Sequence, residues 1–138
     1  MKTILTRFSL AALPLLFFPA CRQATTSPAT REMPTADICF EDTLHDFGTI
    51  PLSQSVDSFD FTFTNCGKGR LVILGVKTSC HCTKVSYPPV PVEPGGQSFV
   101  RVVYDGRGRQ TGFFNKSIRV ISNARTEYVT LGIRGSLQ

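Results

Sequence analysis

An all-β fold, an immunoglobulin-like antiparallel β-sandwich of about seven strands, is what this sequence predicts, and three observations carry the prediction. Short segments rich in β-branched and aromatic residues follow one another from residue 38 onward. Gly, Pro and Asn separate them at the spacing of an all-β domain. No stretch keeps the 3.6-residue period of an amphipathic helix. The tryptophan that marks antibody domains is absent, since the chain has no Trp at all.

Taken in order, residues 38–42 open the sheet, and His45-Asp46-Phe47-Gly48-Thr49-Ile50 follows, with Gly48 permitting a bulge. Residues 56–64 form the clearest strand: Phe59, Phe61 and Phe63 alternate with Asp60, Thr62 and Thr64, so one face is core and the other is wet. Asn65-Cys66-Gly67-Lys68-Gly69 is turn chemistry. Residues 70–76 make the next strand, and Glu93-Pro94-Gly95-Gly96 turns the chain into residues 97–104, where Val100, Val102 and Tyr104 share a face. Residues 106–112 read as a basic loop carrying Arg107 and Arg109, a candidate for contact with an anion. Residues 114–122 and 127–133 close the domain as two strands joined by Asn123-Ala124-Arg125-Thr126.

The start of the chain has a different character. Lys2 and Arg7 precede an apolar run from Phe8 to Phe18, which suits a signal peptide and is too short to span a bilayer. Phe18-Pro19-Ala20-Cys21 ends it. A small residue before a cysteine at this point resembles the lipobox of bacterial lipoproteins, although Phe18 and Pro19 depart from the commonest pattern. The resemblance implies a signal peptide over residues 1–20, lipidation of Cys21, and a membrane partner reached through that lipid. Two or three acyl chains would anchor stably where one binds only marginally. Residues 21–37, rich in Thr, Ala and Pro, read as a flexible linker, which leaves residues 38–138 as the folded domain.

Cleavage before Cys21 leaves 118 residues, enough for one modest core, with thirteen basic and ten acidic side chains. That balance gives no argument for a nucleic-acid partner. Its distribution is uneven: residues 21–66 carry a net charge of −5 and residues 67–138 carry +8. Such a split either builds a basic face towards an anionic envelope polymer or vanishes because the halves interleave, and interleaving is the expectation in a sheet protein.

Five motifs recur in an order that carries a resemblance. HDFGTI at 45–50, FTFTN with G-K at 61–68, SCHCT at 79–83, PGG at 94–96 and FNKSIRVISN at 114–123 are similar to the bacterial family called domain of unknown function 1573, over residues 38–136. The resemblance implies an immunoglobulin-like sandwich, often on exported lipoproteins, with no established biochemical activity. This chain departs from it twice, with His81 where the family usually has Gly and Cys66 where it usually has Thr.

With Cys21 lipidated, Cys39, Cys66, Cys80 and Cys82 remain, an even number for an oxidising compartment. Parity separates them. Phe59, Phe61 and Phe63 face inward, so the even positions through Cys66 face outward, as does Cys39 between Ile38 and Phe40. The first strand of such a sandwich starts beside the end of the second, which predicts a Cys39 to Cys66 disulfide worth roughly 3–4 kcal/mol in the chain-entropy model. Cys80 and Cys82 are left with each other. Two apart on an extended strand, their Cα atoms lie about 6.5–7 Å apart, at the limit for a disulfide, so a bond would need a bend. The same spacing suits two thiolates on a soft ion, Cu(I) ahead of Zn, with His45 as a further ligand and His81 pointing away. The C-x-C is also similar to that of copper-delivering cytochrome oxidase assembly proteins, over three residues.

No G-x-S-x-G, no H-E-x-x-H and no phosphate-cradling loop occurs, and a Cys80 nucleophile with His45 as base is the weakest of the readings. The expectation is therefore a non-enzymatic binding or scaffolding module without a cofactor. It would be anchored in the cell envelope, facing the periplasm, with a protein or envelope polymer as partner. The alternative is a metal or thiol-redox carrier centred on Cys80 and Cys82.

Overall fold

The computed structural model describes residues 33–138; the expected signal peptide, Cys21 and the expected linker as far as residue 32 lie outside the described residues. Eight strands are formed: β1 (Ile38–Phe40), β2 (Leu44–Ile50), β3 (Val56–Asn65), β4 (Ile73–Thr78), β5 (Thr83–Ser86), β6 (Gln97–Asp105), β7 (Gly112–Ser122) and β8 (Tyr128–Leu137). They build two four-stranded sheets, ordered β1-β3-β6-β5 and β2-β8-β7-β4. The sandwich is thus as the sequence predicts, with one strand more.

That strand is β5, four residues at a sheet edge paired with β6. Thr83 and Val85 turn inward and Lys84 and Ser86 outward, so its alternation is present but half polar. A second difference is that β2 pairs with β8 in parallel, while every other strand pairing is antiparallel. Antiparallel order follows from short hairpins, and β2 and β8 are not joined by one. The crossing from β1 to β2 instead carries the chain from one sheet to the other. The β2 register shifts between Asp46 and Thr49, where Gly48 takes φ 65°, the bulge its glycine permits.

The core lies between the sheets, with Phe61, Phe63, Val100, Val102, Ile118, Leu131 and Ile133 fully buried. Phe61 faces Val100 across the β3 and β6 pair, which is why the alternating phenylalanines read so clearly in the sequence. At the other end of β3 the fold reaches back beyond the boundary that composition suggests. Ala36 is 4% exposed and bridges to Ala124, and the Thr35 carbonyl accepts from the Lys68 and Gly69 amides. Residues 34–37 lie directly on Gly67 and Gly69; a Cβ at either glycine would run into their backbone. This stretch is held by close backbone approach, which small residues allow and hydropathy does not register.

The two halves of the charge split meet in two ion pairs among the described residues. Asp60 receives two hydrogen bonds from Arg101 at 2.7 and 2.6 Å, and Asp46 one from Arg134 at 2.8 Å, so acidic residues of the first half pair with arginines of the second. The Asp60 carboxyl is held below its usual range by the Arg101 hydrogen bonds, and that of Asp46 by the Gly48 amide first and Arg134 second. A carboxyl whose pKa is lower in the folded than in the unfolded chain stabilises the fold above the unfolded value, about 4, and that contribution is lost as pH falls through the folded value. The urea midpoint is therefore expected to fall as the pH drops below about 4. The loss should be shallower in Asp60→Asn; an identical acid profile in that variant would refute the assignment.

Candidate functional site

The chain between β4 and β5 passes from one sheet to the other, and the Cys80-His81-Cys82 tripeptide makes the crossing. It is a turn, not the extended strand that residue spacing suggested. The Thr83 amide donates to the Cys80 carbonyl at 3.1 Å, and the bend brings the Cys80 and Cys82 Cα atoms to 5.2 Å. The two sulfurs are joined as a disulfide. Cys82 is 4% exposed and Cys80 is half-buried, while His81 points to solvent. The Cys82 amide donates to the Cys80 sulfur at 3.1 Å.

Neighbouring backbone fixes this turn on both sides. Ser79 donates its amide to the Ser117 carbonyl, the Ser117 amide donates to the Ser79 hydroxyl, both at 3.0 Å, and the Asp105 amide donates to the Cys82 carbonyl at 2.7 Å. The disulfide forms part of the wall of a cleft of about 450 Å³, bounded on the far side by residues 108–112. Tyr104 and Phe114 also line it, their rings stacked at 3.9 Å and 8°. Burial pushes the Tyr104 phenol above its ordinary pKa. Arg109 and Lys116 bring positive charge to the same cleft, and Phe113, 72% exposed, stands at its edge.

The basic loop divides this cleft from a second, of about 640 Å³, lined by residues 49–57 and Arg107. Leu52 and Val56 stand half exposed there. The two loop arginines differ in what they can do. Arg107 is engaged by Asp105 through hydrogen bonds of 2.9 and 2.6 Å, and these, with the Arg107 amide, hold the Asp105 carboxyl far below the usual carboxylate range. Its guanidinium is therefore already matched to an anion of the chain's own. Arg109 has no such ion pair among the described residues.

Cys39 and Cys66 are brought together as a disulfide on the outer face, with Cα atoms 6.0 Å apart. Cys39 sits opposite Thr64 in the β1 and β3 pair, next to the end of β3, as parity argued. His45 is placed elsewhere than the proposed metal set requires. It lies on β2 and stacks on Phe59 at 3.7 Å and 10°, with Phe47 edge-on at 4.7 Å. Among the described residues no three His, Cys, Asp or Glu side chains converge. Joined to each other, Cys80 and Cys82 also present no thiolate to Cu(I) or Zn. Tyr104, Phe114 and Lys116 escaped the sequence reading as site residues, because only the packing of β6 against β7 across the sandwich brings them to the Cys80 turn.

Two four-stranded sheets packed face to face define an immunoglobulin-like β-sandwich, with two disulfides suited to an oxidising, exported environment. Among the described residues no helix is long and apolar enough to cross a membrane. A family model described as protein of unknown function (DUF1573) matches residues 38–137, and the chain belongs to that family. A protein of unknown function from Porphyromonas gingivalis is similar at 19% identity and a TM-score of 0.66, over 81% of this chain and 51% of that one. The VesB protease of Vibrio cholerae is similar at 20% identity and a TM-score of 0.57, over 74% of this chain and 32% of that one. The PapD-like domain 7 of human CEP192 matches at 12% identity and a TM-score of 0.54, over 96% and 98% of the two chains. At these identities the likeness establishes the fold. The chain spans about half the length of the Porphyromonas protein and about a third of the protease. Comparison with curated proteins finds no match.

Proposed function

We propose that this protein is a lipid-anchored component of the cell envelope whose β-sandwich binds a protein or envelope-polymer partner without catalysing a reaction on it. The observation that carries the binding role is the surface around residues 106–112. There Leu52, Val56 and Phe113 expose apolar area on either side of a basic loop, a mixture that suits a docking surface better than a solvated loop. Edges β1 and β5 of one sheet, and β2 and β4 of the other, offer a further route by strand addition. Anchoring at Cys21 would hold the domain at a membrane, on the periplasmic side.

Two measurements on the full chain expressed in a bacterial host test the parts separately. Cys21→Ser is expected to abolish incorporation of labelled palmitate and to move the protein from the membrane to the soluble fraction. A photo-crosslinking residue at position 113 is expected to give a discrete adduct that a crosslinker at Thr62, on the outer face of β3, does not. Continued labelling of Cys21→Ser would overturn the anchor, and equal crosslinking from both positions would overturn the binding surface.

A further inference from the structure

We propose that the Cys80–Cys82 disulfide is a redox site that exchanges with the dithiol of a polypeptide substrate, Cys80 being the sulfur attacked. This goes beyond the binding role above: the exchange is stoichiometric, one disulfide for one, and it rests on the Cys80 turn, sharing only Phe113 with the docking surface.

A structural purpose accounts poorly for this bond. A disulfide that only staples a fold stabilises by shortening the loops open to the unfolded chain, and the effect grows with the loop enclosed. Cys39 and Cys66 are 27 residues apart in sequence, whereas Cys80 and Cys82 are two apart and enclose only His81. The constraint on the unfolded chain is correspondingly slight. Nor does the turn need the bond, since the Ser79 and Ser117 hydrogen bonds, the Thr83 amide on the Cys80 carbonyl and the Asp105 amide on the Cys82 carbonyl hold it independently. Reduction should therefore leave two thiols at the same place in the same fold, ready to close again.

The surroundings favour exchange. Arg109 and Lys116 line the same cleft, and positive charge nearby favours the thiolate form of cysteine. The Cys82 amide already points at the Cys80 sulfur and would stabilise negative charge on it. Exposure separates the two sulfurs: Cys80 is half-buried at the cleft wall, and Cys82 lies in the core with the Thr83 hydroxyl 3.8 Å from its sulfur. An incoming thiolate thus reaches Cys80. Phe113 beside the cleft supplies an apolar contact of the sort a polypeptide carrying the dithiol would use.

The exchange balances without a further reactant. The substrate thiolate attacks the Cys80 sulfur, a bond forms between them, and the Cys80–Cys82 bond breaks with Cys82 leaving as a thiolate that takes up a proton. The second substrate thiolate then attacks the substrate sulfur of the mixed disulfide and expels Cys80, which is protonated in turn. Two electrons and two protons pass to the protein, and the substrate leaves as a disulfide.

The test uses the full chain in detergent, with dithiothreitol as the dithiol and oxidised glutathione as the trap. Under native conditions dithiothreitol is expected to open Cys80–Cys82 at least ~10-fold faster than Cys39–Cys66, read by alkylation and peptide mass, with the circular dichroism spectrum unchanged. Oxidised glutathione is expected to leave an adduct on Cys80 in Cys82→Ser and a weaker one on Cys82 in Cys80→Ser. Equal opening rates of the two disulfides, or opening of Cys80–Cys82 only together with loss of the spectrum, would overturn the proposal. The wild-type comparison stands even if a serine variant fails to fold. A stronger adduct on Cys82 than on Cys80 would overturn the choice of attacked sulfur.

Discussion

Phe61→Ala is expected to destabilise the domain by about 3–5 kcal/mol, the range for emptying an aromatic site in a closed core. Phe61 has no exposed surface and sits on β3, an inner strand of its sheet, opposite Val100, with the Phe59 ring edge-on at 4.9 Å. Both sheets enclose the position, so little collapse can fill the cavity. Domains of this size are stable by only about 5–15 kcal/mol, and such a loss brings the fold close to unfolding at ambient temperature. Urea denaturation of the variant checks this, with Thr62→Ala on the opposite face as reference. A loss under about 1 kcal/mol at Phe61 would mean that the core lies elsewhere.

Asn65→Ala is expected to cost about 3 kcal/mol, although it removes only a small polar side chain. The Asn65 amide nitrogen donates to the Gly69 and Val92 carbonyls, both at 2.8 Å, and its oxygen accepts from the Gly67 amide at 3.0 Å. The residue is fully buried, so alanine would leave the Gly69 carbonyl and the Gly67 amide without partners beside a dry cavity, while the Val92 carbonyl keeps the Leu71 amide at 2.9 Å. Asn65→Asp separates this account from simple loss of packing. A carboxylate there would face two carbonyl oxygens it cannot satisfy, and its pKa would rise above the unfolded value near 4. A carboxyl raised on folding favours the fold most at low pH and least above its folded pKa. The aspartate variant should therefore gain stability as pH is lowered from 7 towards 4.5, opposite to the trend from Asp60 and Asp46. A flat profile over that interval would contradict the hydrogen-bond account.

What could be read from the sequence was whatever alternation and parity control. The β3 phenylalanines, the inward set Val100, Val102 and Tyr104 on β6, and the outward placement of Cys39 and Cys66 all follow from the two-residue period of a strand. The features that escaped depend on contacts between distant segments. Thr83 and Ser86 conceal β5 because a short edge strand with polar residues on both faces has little hydrophobic signal. Residues 34–37 join the fold through the bare backbone of Gly67 and Gly69, which composition scores as turn. His45 stacks on Phe59 only because β2 crosses to the opposite sheet. At the candidate site the two cysteines were visible and their bend was not, since it is set by hydrogen bonds from Ser117 and Asp105, contributed by β7 and β6.

The parallel contact between β2 and β8 bears on the order in which the molecule can be assembled. The Leu52 amide donates to the Gln138 carbonyl at 2.6 Å and the Gln138 amide to the Ile50 carbonyl at 2.9 Å, so the last residue of β2 and one that follows it pair with the residue that follows β8. A ribosome delivers β2 early and β8 late. Until β8 emerges, β2 has no strand partner and its sheet lacks an inner member. Pairings this far apart in sequence are slow to form, because a long loop must close before any contact rewards it. The domain therefore stays open until β8 is available to it, and only then can its second sheet close.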